Sequence, residues 1–109
     1  MDAVLGIDIA KAKFAAALLR PDGKVRHKSC ANTPTGFADL AAWLLRQQVT
    51  HVHATLEATG TYGEALALWL HDAGHLVSVV NPSVIHAYAR TQLTRSKTDR
   101  IDAELIARF

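Results

Sequence analysis

The chain has 109 residues, half of them hydrophobic, which is enough for one compact domain with its own core and too few for two. Its formal net charge of +2 says little about partners, so the placement of the basic residues matters more than their sum. Cys30 is the only cysteine, which excludes an internal disulfide and paired Cys/His zinc spacing; no leader pattern follows Met1, and no stretch approaches the roughly 18 apolar residues of a membrane span, so a cytoplasmic protein is expected.

In chain order, Val4 to Ile9 and Phe14 to Leu19 are short apolar runs, and Pro21-Asp22-Gly23 supplies a turn before Lys24 to Cys30. Three strands in an antiparallel meander are predicted, although Ala15, Ala16 and Ala17 are weak strand formers. A helix opens at Thr33-Pro-Thr-Gly, with Phe37, Leu40, Ala41, Leu44 and Leu45 recurring at spacings of three and four. His51 to Glu57 alternates like a half-buried strand, with Val52, Ala54 and Leu56 on one face. Thr61 and Glu64 have capping-box spacing ahead of a helix through Leu66, Trp69, Leu70 and Ala73 that stops at Gly74. Leu76 to Val80 reads as a buried strand, Asn81-Pro82 as the start of a helix through Val84, Ala87 and Tyr88, and a last helix begins near Asp99. The order β-β-β-α-β-α-β-α-α predicts an α/β fold, a mixed sheet with flanking helices and the first strand central. The pattern of that last helix runs to Phe109 with no Gly or Pro to stop it, so residues 1–109 are expected to be one N-terminal domain of a longer polypeptide.

Asp8 is the sharpest single residue. It sits inside the apolar strand Val-Leu-Gly-Ile-Asp-Ile, sharing its face with Gly6 while Leu5, Ile7 and Ile9 point the other way. A carboxylate there needs a cation or a set of donors nearby, because an unpaired buried charge takes up a proton instead. Glu57 ends a strand just before a glycine-containing turn into a helix, where open α/β sheets gather ligands. Asp99 and Asp102, three residues apart on one helix, project from one face, although Ser96 with Asp99 also has plain capping spacing. One strand-borne Asp, one strand-end Glu and a helical acid pair can together hold two hard cations through oxygen ligands, Mg²⁺ or Mn²⁺, for in-line phosphoryl displacement. The acids lie among cations: Lys11, Arg95, Lys97 and Arg100 are the candidates for binding a nucleic-acid backbone that the carboxylates would repel. His51 and His53 share a strand face but lack a third ligand, Tyr62 is read as packing over the next helix, and Trp43 and Trp69 as core.

Gly6-Ile-Asp-Ile-Ala-Lys11, Leu56-Glu-Ala-Thr-Gly-Thr-Tyr62, Asn81-Pro82 and Lys97-Thr-Asp-Arg-Ile-Asp-Ala103 resemble, in order and spacing, the N-terminal RuvC-like domain of DEDD insertion-sequence transposases, the group related to Piv-type DNA invertases. That resemblance implies an RNase H-like fold and a catalytic metal site of Asp8, Glu57, Asp99 and Asp102, acting in metal-dependent DNA cleavage and strand transfer. It also implies a further C-terminal domain bearing a nucleophilic serine, a structured guide RNA and a homo-oligomer. Ser29, Ser78, Ser83 and Ser96 match no such serine. A RuvC-like structure-selective nuclease would use the same acids with water as nucleophile. A nucleic-acid-binding or dimerisation module would leave the acids without catalytic work. Gly-Ile-Asp-Ile followed by lysines also resembles the first phosphate loop of actin-like ATPases, but the second, Asp-Gly loop is missing.

Overall fold

A computed structural model describes residues 3–57, 60–81, 83, 87 and 103–108. Strands β1 (Ala3–Ile9), β2 (Lys13–Leu19) and β3 (Val25–Ala31) form the expected antiparallel meander. Helix α1 (Pro34–Arg46) leads to β4 (Val52–Glu57), and α2 (Glu64–Asp72) to β5 (Leu76–Val80); β4 pairs parallel to β1, and β5 parallel to β4. The sheet order is β3-β2-β1-β4-β5, so β1 is central. Helix α3 (Ala103–Arg108) is the last described element.

Alternation sorts each strand between two faces. Leu5 and Ile7 of β1, Phe14 and Leu18 of β2, and Ala54 and Leu56 of β4 are fully buried, in one cluster with Phe37 and Leu40 of α1 and Leu66 and Leu70 of α2. Each such Leu, Ile or Phe contributes about 1.5–3 kcal/mol by leaving water. Trp43 and Trp69 pack with this cluster as expected, Trp69 lying 6.0 Å from the Phe37 ring.

The opposite face is built for close approach. Gly6 lies between Ala17 and Thr55 on the neighbouring strands, and a β-carbon added to it would fall on the Ala103 carbonyl and on the backbone of Ala107. Helix α3 therefore meets the sheet backbone to backbone. That contact accounts for the weak strand former Ala17, fully buried beside Gly6, where a β-branched side chain would hold α3 away; Ala16 points into the opposite core. Leu105 and Ile106 are buried in this contact.

The helix ends show which local signals are used. Thr33 is extended and its hydroxyl accepts from the Gly36 amide at 3.2 Å, with Pro34 opening α1. The far end of α1 closes with Gln48 at φ 61°, its amide bonded to Leu45 and that of Val49 to Leu44, a glycine position held by glutamine. At α2 the capping-box expectation is corrected: Gly63 occupies the cap with no side-chain bond, and only the Thr61 carbonyl receives the Glu64 amide, at 3.2 Å. Gly74, at φ 94°, ends α2 as expected. Ser83 and Ala87 are helical, and the Asn81 side chain accepts from the Ser83 amide at 2.8 Å, the capping role expected of it.

Candidate metal and nucleic-acid site

Two of the candidate acids meet at one end of the sheet. The parallel register sets Ile7 against Leu56, so Asp8 and Glu57 stand one residue further on, at the carboxyl ends of strands spaced about 4.8 Å apart. Both are half-buried and share the face that carries Gly6 and Thr55, the face on which α3 lies. Thr55, two residues before Glu57, is the buried polar residue of the described chain at 7 % exposure. Asp99, Asp102, Arg95, Lys97 and Arg100 lie outside the described residues, although Asp102 directly precedes Ala103 in the chain. Among the described residues, no three His, Cys, Asp or Glu side chains form a group able to hold a metal.

A residue not singled out by sequence ties the loops at this end together. The Asn32 side-chain amide donates to the Ala10 carbonyl at 3.0 Å and to the Tyr62 carbonyl at 3.0 Å, while its backbone amide donates to Ala12 at 2.9 Å. It thus joins the turn after Asp8, which carries the exposed Lys11, to the loop after Glu57. The available signal was the position of Asn32 between β3 and the Thr33 cap, where an amide can satisfy backbone carbonyls. Tyr62, read from the sequence as packing over the next helix, is 48 % exposed.

The histidines do not assemble a second centre among the described residues. His51 faces His75 at a ring distance of 5.8 Å, whereas His53 Nε2 lies 2.6 Å from Ser78 Oγ. His75 Nδ1 accepts the Val52 amide at 3.2 Å at the entry to β4, and burial, with His51 beside it, lowers the His75 pKa below its ordinary 6.5. A depressed folded pKa contributes stability that is present above pH 6.5 and lost as pH falls through the folded value. His75→Asn, whose side-chain oxygen can replace Nδ1 as acceptor, should flatten the decline in urea-unfolding stability between about pH 7 and 5. An undiminished decline in the variant would assign the pH dependence to other groups.

Two cavities flank the sheet. One of 520 Å³, between α2 and β5, is lined by Leu68, Val77 and Val79 and opens beside Glu57. The other, of 380 Å³, is lined by Arg20, Asp22, Gln47 and His51 near the start of β1, at the far end of that strand from Asp8. No described helix is long and apolar enough to cross a membrane.

A family model for DEDD transposases, described as a transposase, matches residues 5–109. The chain is 41% identical over 107 residues to the pilin gene-inverting protein of Moraxella bovis, and 40% identical over 107 residues to that of Moraxella lacunata. Each match covers 96% of this chain and 33% of the relative, so the chain spans about a third of their length. Among solved structures it is similar to RuvC of Thermus thermophilus, with TM-score 0.58 and 16% identity over 96% of this chain and 90% of that one. The Holliday junction resolvase of fowlpox virus aligns with TM-score 0.51 and 14% identity, over 96% of this chain and 92% of that one. At such identities the likeness speaks to architecture, and it is the RNase H-like architecture expected from the sequence. With the family match running through β1, β4 and α3, the chain belongs to the DEDD transposases.

Proposed function

We propose that this chain is the N-terminal, metal-binding domain of a DNA transposase or site-specific recombinase, with Asp8, Glu57, Asp99 and Asp102 as its catalytic carboxylates. The observation that carries the reading is the placement of Asp8 and Glu57 side by side at the ends of parallel strands, on the face where α3 lies. Chain order adds to it: Asp102 directly precedes Ala103, whose carbonyl abuts Gly6 two positions from Asp8.

The donor set fits hard divalent cations. All four candidates are carboxylates, with no cysteine or histidine among them, a composition that suits Mg²⁺ or Mn²⁺ rather than zinc. Divalent ions held by these four carboxylates would supply activation of the attacking oxygen and stabilisation of the leaving oxygen in phosphodiester cleavage. The residues of the chain do the holding and steering. Lys11, exposed in the turn after Asp8, binds DNA phosphate together with Arg95, Lys97 and Arg100, offsetting the repulsion between carboxylates and backbone. The serine that completes strand exchange belongs to a further C-terminal domain. A structured guide RNA and a homo-oligomer belong to the same proposal and rest on the family resemblance alone.

Thermal unfolding of the chain with and without Mg²⁺ or Mn²⁺ tests the site. Metal at 100 times its Kd should stabilise by about 2.7 kcal/mol, and no shift at saturating metal would refute the assignment. Asn32→Ala should lower DNA cleavage by about 10- to 100-fold by loosening the two loops, with the metal-induced shift retained. Unchanged cleavage would mean that the loops hold their places without that side chain.

The likeness to RuvC supports one alternative, a structure-selective nuclease using the same acids. The two part at the intermediate. A recombinase with a serine nucleophile leaves protein covalently joined to a DNA end, whereas a nuclease using water leaves free ends.

A further inference from the structure

The edge of the sheet formed by β3 carries a row of cations that the acid site does not use. Lys24 stands just before the strand, and Arg26 and Lys28 follow at two-residue steps, the latter two on one face of the ribbon roughly 7 Å apart. Arg26 and Lys24 are exposed and Lys28 is half-buried. Among the described residues, no carboxylate lies within ion-pair distance of any of the three. The nearest acid in sequence, Asp22, is already engaged by Arg20 at 3.5 Å and by the Lys24 amide at 2.9 Å.

Charges on an edge strand also serve to block strand-to-strand aggregation, a role that predicts charge on both edges of the sheet. The other edge, β5, reads Leu76-Val-Ser-Val-Val80, with no charge and with Leu76 and Val79 each 57 % exposed. Of the two edges, β3 carries the charge. Alternation also separates the row from the acids: Arg26 and Lys28 share the sheet face of Cys30, whereas Asp8, in register with Ala15 and through it Ser29, belongs to the other face.

We propose that the β3 edge, through Lys24, Arg26 and Lys28, is a second nucleic-acid contact that holds a phosphate backbone away from the acid site. Evenly spaced cations suit the repeated charge of a polynucleotide, and the outward backbone amides of an edge strand can donate to the same oxygens. The proposal rests on the reading that the protein acts on nucleic acid, and it names where a stretch remote from the scissile phosphate is held.

The test measures binding of the full-length protein to duplex DNA and, separately, to an RNA hairpin, across a range of salt concentrations. With Arg26→Gln/Lys28→Gln, the slope of log K against log salt for duplex DNA should fall by about 1.8, or about 0.9 for each phosphate that the protein no longer neutralises. The charge-preserving pair Arg26→Lys/Lys28→Arg should keep the original slope. A fall in one arm only identifies which polymer the edge holds. Lys24→Gln alters no strand residue and should lower the slope by about 0.9 even where the double variant folds poorly. Unchanged slopes in both arms, or aggregation with an unchanged slope in the soluble fraction, overturn the proposal and return the cations to edge protection. Metal-induced stabilisation of the wild-type protein separates the two readings: its absence counts against the acid site, an unchanged salt slope only against the edge.

Discussion

Asp8→Asn is expected to reduce metal-dependent DNA cleavage by the full-length protein by about a thousandfold or more while leaving the fold in place. The substitution keeps the size and planarity of the side chain and removes its charge, so packing around the half-buried position changes little. The loss is large because ligand charge at such a site is worth several kcal/mol in the transition state, and each 1.36 kcal/mol is tenfold in rate. Asp8 should matter most because it lies on the central strand, between β2 and β4, with Glu57 beside it. Single-turnover cleavage at saturating Mg²⁺, beside an unfolding curve for each protein, makes the comparison. A variant that cleaves within tenfold of wild type would remove Asp8 from the chemistry.

The second large effect is expected at a residue without functional groups. Gly6→Ala adds one β-carbon directly onto the Ala103 carbonyl and the Ala107 backbone, and main chain cannot rotate aside as a long side chain can. Helix α3 must lift from the sheet, at a cost of about 1–3 kcal/mol and a fall in Tm of roughly 5–20 °C. The displacement begins one residue after Asp102, so metal-induced stabilisation should weaken together with intrinsic stability. A variant with unchanged Tm would show that α3 can sit further from β1. One with lowered Tm and an intact metal response would separate the helix position from the site.

Much of this architecture is legible in the sequence because it depends on local alternation. The period-two pattern from Val4 to Ile9 places Leu5 and Ile7 in the core and sets Asp8 opposite them, and that division holds in the structure. The central position of β1 follows from a meander followed by parallel crossovers. What local reading misses depends on contacts between distant segments. Ala15 and Ala17 look like poor strand residues until α3 is seen on their face of the sheet, while Ala16 sits in the core on the other face. Thr61 and Glu64 have the right spacing for a capping box, yet the helix begins at Glu64 itself and the hydroxyl has no such role. Asn32 is an ordinary turn residue by sequence and becomes a joint between two loops only when Ala10 and Tyr62 converge on it. The family resemblance reaches further than the geometry, since it assigns Asp99 and Asp102, which lie outside the described residues.

The central claim is that Asp8, Glu57, Asp99 and Asp102 converge on divalent metal. Anomalous diffraction from crystals of the protein soaked in Mn²⁺ locates such ions directly. Anomalous density is expected at the carboxyl ends of β1 and β4, within about 2.0–2.6 Å of an Asp8 oxygen and of oxygens from Glu57, Asp99 or Asp102. Manganese bound only elsewhere, or at no site within reach of Asp8 at saturating concentration, would contradict it.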